Sequence, residues 1–371
     1  MTRQVSFAIA IALAIAGCGS AAAQTSTASS PGTISSASLY GLLDVSAYEK
    51  QLAGERKLST LQSGAMTTSR WGITGTEDLG GGLRAIFDLS SFVRVDTGAS
   101  GRNNTDPFFA RLAYVGLSSD RWGSLRMGRI PTATFLSEVN FGAFLDSTNL
   151  GPYVLQTFQM PGTQPMITGN GFLDSAWSNS VSYSLPALSS LPGFSASLQG
   201  AAGEGTLGRR IGGGATYRRD TFGVSFTFDA VDHGELPVGA ATAATATAAR
   251  PVYTANKIRT YQGGAFYDFK VVRLWAQANQ TTFSSDTLSD LRLRTYALSA
   301  TVPVGVANVI AEWAHTNQDR NGAPTLKRDT SSLGLDYFLS KRTDIYAVAI
   351  RDKVTNLDGG TGMAAGMRHR F

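Results

Sequence analysis

The chain of 371 residues contains a single cysteine, Cys18, so no disulfide can form within it. Beyond residue 23 there is no apolar run of the roughly 20 residues that a membrane-spanning helix needs. Helix-length amphipathic patterns are almost absent as well. Histidines number three, His233, His315 and His369, in separate segments without H-E-x-x-H or Cys/His spacing, so neither a metal site nor any other cofactor is expected. There is no G-x-S-x-G, and the glycines at 80–82 follow an acidic turn instead of opening a helix, which excludes phosphate-loop chemistry. Enzymatic activity is not expected. The formal charge of +5 is mild and suggests no nucleic-acid partner.

What is present begins with MTRQVSFAIAIALAIAGCGSAAAQ, one positive charge, an apolar run too short to span a bilayer, and small residues ending at Ala23. That is the pattern of a secretory signal peptide over 1–23, followed by a short extension over 24–37. A rival reading takes Ile15-Ala16-Gly17-Cys18 as a lipobox that would place a lipid on Cys18. Among the 32 basic residues 25 are arginine, a side chain that stays charged in confined spaces and pairs with carboxylate or phosphate in a fixed fork.

Glycine (41 residues), aromatics and period-two patterning point to β structure. Strand candidates fall at 38–48, 66–77, 82–93, 108–118, 123–130, 177–186, 193–202, 210–219, 221–232, 258–269, 271–281, 292–302, 305–316, 328–339, 343–352 and 361–371. Seven tight turns alternate with eight longer connections, as an even-stranded antiparallel barrel with both ends on one side requires. In SRWGITGTEDLGGGLRAIFDLSS (69–91), Leu83, Phe87 and Leu89 oppose Arg84, Asp88 and Ser90. Phe222, Val224, Phe226 and Phe228 oppose Gly223, Ser225, Thr227 and Asp229, and Leu333, Leu335, Tyr337 and Leu339 repeat the pattern. Such apolar faces, summed over one closed sheet, cannot all be buried in water; lipid covers them, and closure removes the edges. The fold expected is therefore an all-β, sixteen-stranded transmembrane antiparallel β-barrel over 38–371, with the polar face inward.

The connection at 131–176 exceeds ordinary loop length. It carries Phe135, Phe141, Phe144, Leu145, Tyr153 and Leu155, too apolar for water, and is expected to fold against the barrel wall. The low-complexity GAATAATATAA at 239–249 reads as an external loop tip. The final strand ends on Phe371, which would close the barrel at the membrane interface.

SLYGLLDVS (38–46), the stretch 69–91, ARLAYVGLSSDRWGSLRMGR (110–129), WSNSVSYSLP (177–186), SLGLDYFLSKRTDIYAV (332–348) and the terminal MRHRF resemble, in order, the trimeric sixteen-stranded general porins of Gram-negative bacteria. The resemblance implies an outer-membrane location, a homotrimer embedded in outer-membrane lipid, and a third external loop that constricts a water-filled lumen. It also implies passage of small hydrophilic solutes and ions, and a terminal Phe371 recognised by the barrel assembly machinery.

A pore needs an electrostatic filter at its narrowest point, and arginines favour anions there. Arg70, Arg84, Arg111 and Arg129 lie in the strands flanking the third loop, Arg70 and Arg84 with inward parity. The resemblance assigns Arg70 and Arg111 to the basic side of the constriction, although simple alternation turns Arg111 outward and a bulge would be needed. Ser182 replaces a basic residue often seen in the family, and Arg126 has inward parity without a good family match. The alternative for each arginine is a rim residue reaching lipid headgroups. Glu138 and Asp146 are either the acidic side of the constriction or pins that hold the loop by hydrogen bonds, while Asp88 and Glu77 are expected to pair with neighbouring arginines. The function expected is passive diffusion with a moderate anion preference. Alternatives are a solute-specific channel of the same fold, an outer-membrane barrel enzyme or a lipid-anchored binding protein.

Overall fold

A computed structural model describes residues 36–158, 175–203, 208–238, 253–287, 289–320 and 322–371. The expected signal peptide, Cys18, most of the 24–37 extension and the 239–249 tip lie outside the described residues. Among those described, sixteen antiparallel strands pair in sequence order and the last pairs with the first.

They are β1 (Ser36–Lys50), β2 in two segments (Leu58–Ser63 and Arg70–Gly80), β3 (Leu83–Arg94), β4 in two segments (Ala99–Ser100 and Leu112–Ser119), β5 (Gly123–Pro131), β6 (Ala176–Ser184), β7 (Phe194–Ala201) and β8 (Arg209–Arg218). The remainder are β9 (Phe222–Val238), β10 (Tyr253–Asp268), β11 (Arg273–Ser284), β12 (Leu291–Val304), β13 (Ala307–Arg320), β14 (Ala323–Phe338), β15 (Thr343–Val354) and β16 (Gly360–Arg370). The number agrees with the sequence expectation; the bounds differ at the long-loop end. There β9, β10 and β14 run past their expected limits, because polar segments continue the backbone ladder once past the apolar band.

Alternation places the apolar face outward. Val224 and Phe226 are exposed at 49% and 57%, and Leu333, Leu335, Tyr337 and Leu339 are exposed likewise. In the stretch 69–91, Phe87 and Leu89 look outward, whereas Arg70, Arg84 and Asp88 share the lumen face through the pairs Arg70↔Phe92, Asp78↔Arg84 and Thr74↔Asp88. No described helix is long and apolar enough to cross a membrane; strands with this pattern do so.

Closure is local chemistry. The Gly41 and Phe371 backbones exchange hydrogen bonds of 3.0 and 3.1 Å, and a Cβ on Gly41 would collide with the Phe371 ring. Only glycine lets that terminal aromatic lie across β1.

An apolar cluster sits inside the barrel. The long connection carries helices α1 (Ala133–Asn140), N-capped by the Thr132 hydroxyl, and α2 (Pro152–Phe158). Phe144, Leu150 and Leu155 from this segment pack on Tyr48, Met66, Ile310, Tyr346, Val348 and Ile350 of the wall side. Each fully buried side chain of this kind contributes about 1.5–3 kcal/mol. Of the six apolar residues expected to pack, Phe141, Phe144, Tyr153 and Leu155 are buried, but Leu145, at a positive φ of 51°, is 47% exposed.

Candidate pore constriction

Polar contacts fix the same segment to the wall. The Tyr153 amide donates to Glu312 Oε1 at 2.7 Å, Gln156 Nε2 donates to the Ala314 carbonyl and Thr330 Oγ1 at 3.0 and 2.7 Å, and Gln277 Nε2 donates to the Glu138 carbonyl at 3.0 Å. Ser147 Oγ donates to the Ala65 carbonyl at 2.7 Å. Docked in this way across the interior, the loop leaves a cavity of about 760 Å³ against β1–β5.

Among the described residues six arginines line that cavity, Arg70, Arg94, Arg102, Arg111, Arg126 and Arg370, with two carboxylates, Asp96 and Asp146. Two of the arginines owe their position to strand breaks. β2 is interrupted at 64–69, where the Asp44 carboxylate accepts the Met66 and Thr67 amides at 3.0 and 2.6 Å, and Arg70 opens the resumed strand. β4 is interrupted between Ser100 and Leu112, and Arg111 immediately precedes its second segment. Alternation therefore does not govern Arg111: its guanidinium turns into the lumen and donates to Tyr40 Oη at 3.2 Å and Ser90 Oγ at 3.3 Å. Tyr40 in turn donates to Asp88 at 2.7 Å.

The cations differ in how far they are neutralised. Arg70 is paired with Asp146 at 2.7 Å, Arg102 with Asp106 at 2.9 Å and Arg370 with Asp344 at 2.6 Å. Burial alone would raise the Asp106 carboxyl, but the bonds from Arg102 hold it below the usual carboxylate range. Arg94 instead donates to Asn104 Oδ1 at 2.8 Å, and Arg126 to Ser184 Oγ at 3.2 Å while lying over the Tyr114 ring. Among the described residues no carboxylate lies within 4.0 Å of Arg94, Arg111 or Arg126.

Several sequence expectations change here. Arg84 has the lumen parity expected but sits at the tight-turn end, paired with Asp120 of the next turn, so it is a rim residue and not part of the constriction. Arg129 is buried within the wall: the bulge at Gly128, with φ of 132°, turns it onto the Ala110 and Ala176 carbonyls and Ser178 Oγ, where it joins three segments. Glu138 is 3% exposed and lies on the face of α1 turned to the wall, not the lumen. Asp146 does reach the cavity, in direct contact with Arg70. Arg126, which the resemblance did not support, lines the cavity as its parity indicated. Arg94, Arg102 and Arg370 were missed; the signal that could have found Arg94 and Arg370 was the even-residue face shared with Arg84, Asp88 and Ser90 on one strand and with Arg368 on the other. Arg368 itself is buried on Asp336 and Asp344, a wall brace of the same side-chain type as the arginines that line the cavity.

Burial pushes the Glu138 carboxyl up to about 8, Thr157 opposing and Asp229 adding to the shift. A folded value raised from 4.5 means that the neutral acid stabilises the docked loop fully below 4.5 and progressively less as pH rises, the contribution being lost through about 8. Protease cleavage within 131–176 is accordingly expected to accelerate as pH rises through about 8, and Glu138→Gln to flatten that profile. An unchanged slope in the glutamine variant would assign the pH dependence to another group.

A Gram-negative porin family model matches residues 8–357. The chain is 32% identical to outer membrane porin protein 32 of Delftia acidovorans over 370 residues, covering 91% of this chain and 94% of that protein. It is 29% identical to an outer membrane porin protein of Bordetella pertussis, over 83% of this chain and 84% of the relative. Among solved structures, the anion-selective porin from Comamonas acidovorans superposes with a TM-score of 0.71 at 27% identity, over 91% of this chain and all of that one. An outer-membrane barrel by sequence pattern, by strand pairing, by inward-folded third loop and by kinship, the chain belongs to the Gram-negative porin family.

Proposed function

We propose that this outer-membrane porin is a channel for passive diffusion of small hydrophilic solutes with a moderate preference for anions, acting as a homotrimer. The observation that carries the preference is the imbalance among the described residues of the cavity wall, six guanidiniums against two carboxylates, three of the six without a carboxylate partner there. A low-dielectric wall focuses the field of such a cluster and raises local anion concentration. The Comamonas relative is described as anion-selective, which agrees in sign. The trimer rests on the family resemblance, as does recognition of Phe371 by the barrel assembly machinery. Delivery by a leader cut after Ala23 is the route that fits the N-terminal pattern.

The test is the zero-current potential of single channels in a planar bilayer under a salt gradient. A water-filled conductance whose reversal potential takes the sign of the anion gradient is expected. Cation preference would reject the filter assignment, and absence of a conductance would reject the pore.

A further inference from the structure

The helix that narrows the lumen is built inside out. On α1 the polar residues Thr134, Ser137 and Glu138 are buried, Ser137 Oγ meeting Ser225 Oγ of the wall at 2.6 Å, while Phe135, Leu136 and Val139 line the cavity. Spacings of three and four residues set Leu136 and Phe135 each beside Val139 on one face. Leu136 is 43% exposed there. Beyond the helix Leu145 lines the same cavity, likewise exposed, at a φ of 51° that side chains other than Asn and Asp rarely adopt. Docking of the loop does not need these side chains, since the buried face of the segment supplies the packing and hydrogen bonds to the wall. An apolar strip turned to the lumen at the narrowest point is costly in water and gains from an apolar solute.

The wall side of the cavity is the opposite in character. Arg111 and Arg126 line it, and Arg126 Nε is a buried donor without a partner among the described residues. The two carboxylates of the lining do not cancel these cations: Asp146 is engaged by Arg70 at 2.7 Å, and Asp96 lies in the turn after β3. We infer that the constriction selects, among anions, monocarboxylates that carry an apolar ring, the carboxylate on Arg111 and Arg126 and the ring against Leu136, Val139 and Leu145. A guanidinium pair takes a carboxylate by charge-assisted hydrogen bonds, and an inorganic anion would use that side alone. A hydroxylated ring would lose water at the leucines without regaining hydrogen bonds. The inference rests on the anion preference proposed above and adds the body of the solute to its charge.

The test is block of the potassium chloride current of single channels at neutral pH by cyclohexanecarboxylate and by quinate, which share a ring skeleton and a charge and differ in ring hydroxyls. Covering about 60 Å² of apolar ring surface predicts half-block by cyclohexanecarboxylate at a concentration about tenfold lower than by quinate. Leu136→Ser/Leu145→Asn, the asparagine chosen because it tolerates the left-handed backbone, should bring the two half-block concentrations together. Arg111→Ser/Arg126→Ser should raise both. Heat-modifiable gel migration checks that each variant is a closed barrel. Equal block by the two acids, or no block by either, in a channel that still prefers anions overturns the inference and leaves the filter standing. A tenfold difference that survives in the leucine variant also overturns it. Cation preference of the unaltered channel would remove the filter reading, and this inference with it.

Discussion

Asp146→Asn raises the anion-to-cation permeability ratio, and Arg111→Ser/Arg126→Ser lowers it. A unit charge about 5 Å from a permeating ion in water is worth about 0.8 kcal/mol, or about fourfold in local ion concentration. The serine pair therefore costs several-fold in selectivity at low salt, the effect shrinking as the Debye length falls toward 3 Å at about 1 M. Arg111 and Arg126 are the informative pair because, among the described residues, neither has a carboxylate within 4.0 Å to absorb the loss. Arg70 is different: Asp146 sits on it at 2.7 Å, so Arg70→Ser exposes an uncompensated carboxylate and Asp146→Asn liberates a cation. Reversal potentials of the three variants separate the contributions, and the opposite signs cannot arise from a general loosening of the barrel. Unchanged selectivity in both the asparagine and the double-serine proteins would move the filter away from this cavity.

The second large effect concerns the loop that makes the cavity narrow. Phe144 is 1% exposed within the cluster that joins the loop to the wall, and Phe144→Ala is expected to cost about 3–5 kcal/mol of docking. The wall is held by its own backbone ladder, so the loss falls on the loop. Single-channel records should show a larger and noisier conductance, protease should cut within 131–176, and heat-modifiable gel migration should remain that of a closed barrel. Glu312→Ala removes the acceptor of the Tyr153 amide from the wall side and is expected to give the same phenotype. A quiet channel of unaltered conductance in both variants would show that these contacts do not hold the constriction.

Legibility in the sequence followed the range of the physics involved. Period-two alternation reports a local fact, which side of a pleated strand a residue occupies, and it placed Arg70, Arg84 and Arg126 on the lumen face correctly. It could not say at what height along the barrel each would lie, and height separates Arg70, beside Asp146, from Arg84 at the rim. Where the strand stops, alternation stops with it. Arg111 lies in the irregular run before β4 resumes and turns inward against its parity, and Arg129 follows a bulge that buries it on two carbonyls. Glu138 and Asp146 belong to the same loop with the same charge; their separation depends on which side of the docked loop meets the wall, a property of packing across more than a hundred residues.

Sequence by itself determined the all-β class, the number of strands, the outward apolar face, a third long connection too apolar to lie in water and the arginine bias of the polar face, because each follows from composition and from contacts near in sequence. Only the tertiary structure decided which arginines line the cavity, which acid neutralises one of them, and which charged residues merely brace the wall. Those distinctions require strands far apart in the chain to be brought into register around a closed circumference, and the field at the constriction is the sum over all of them.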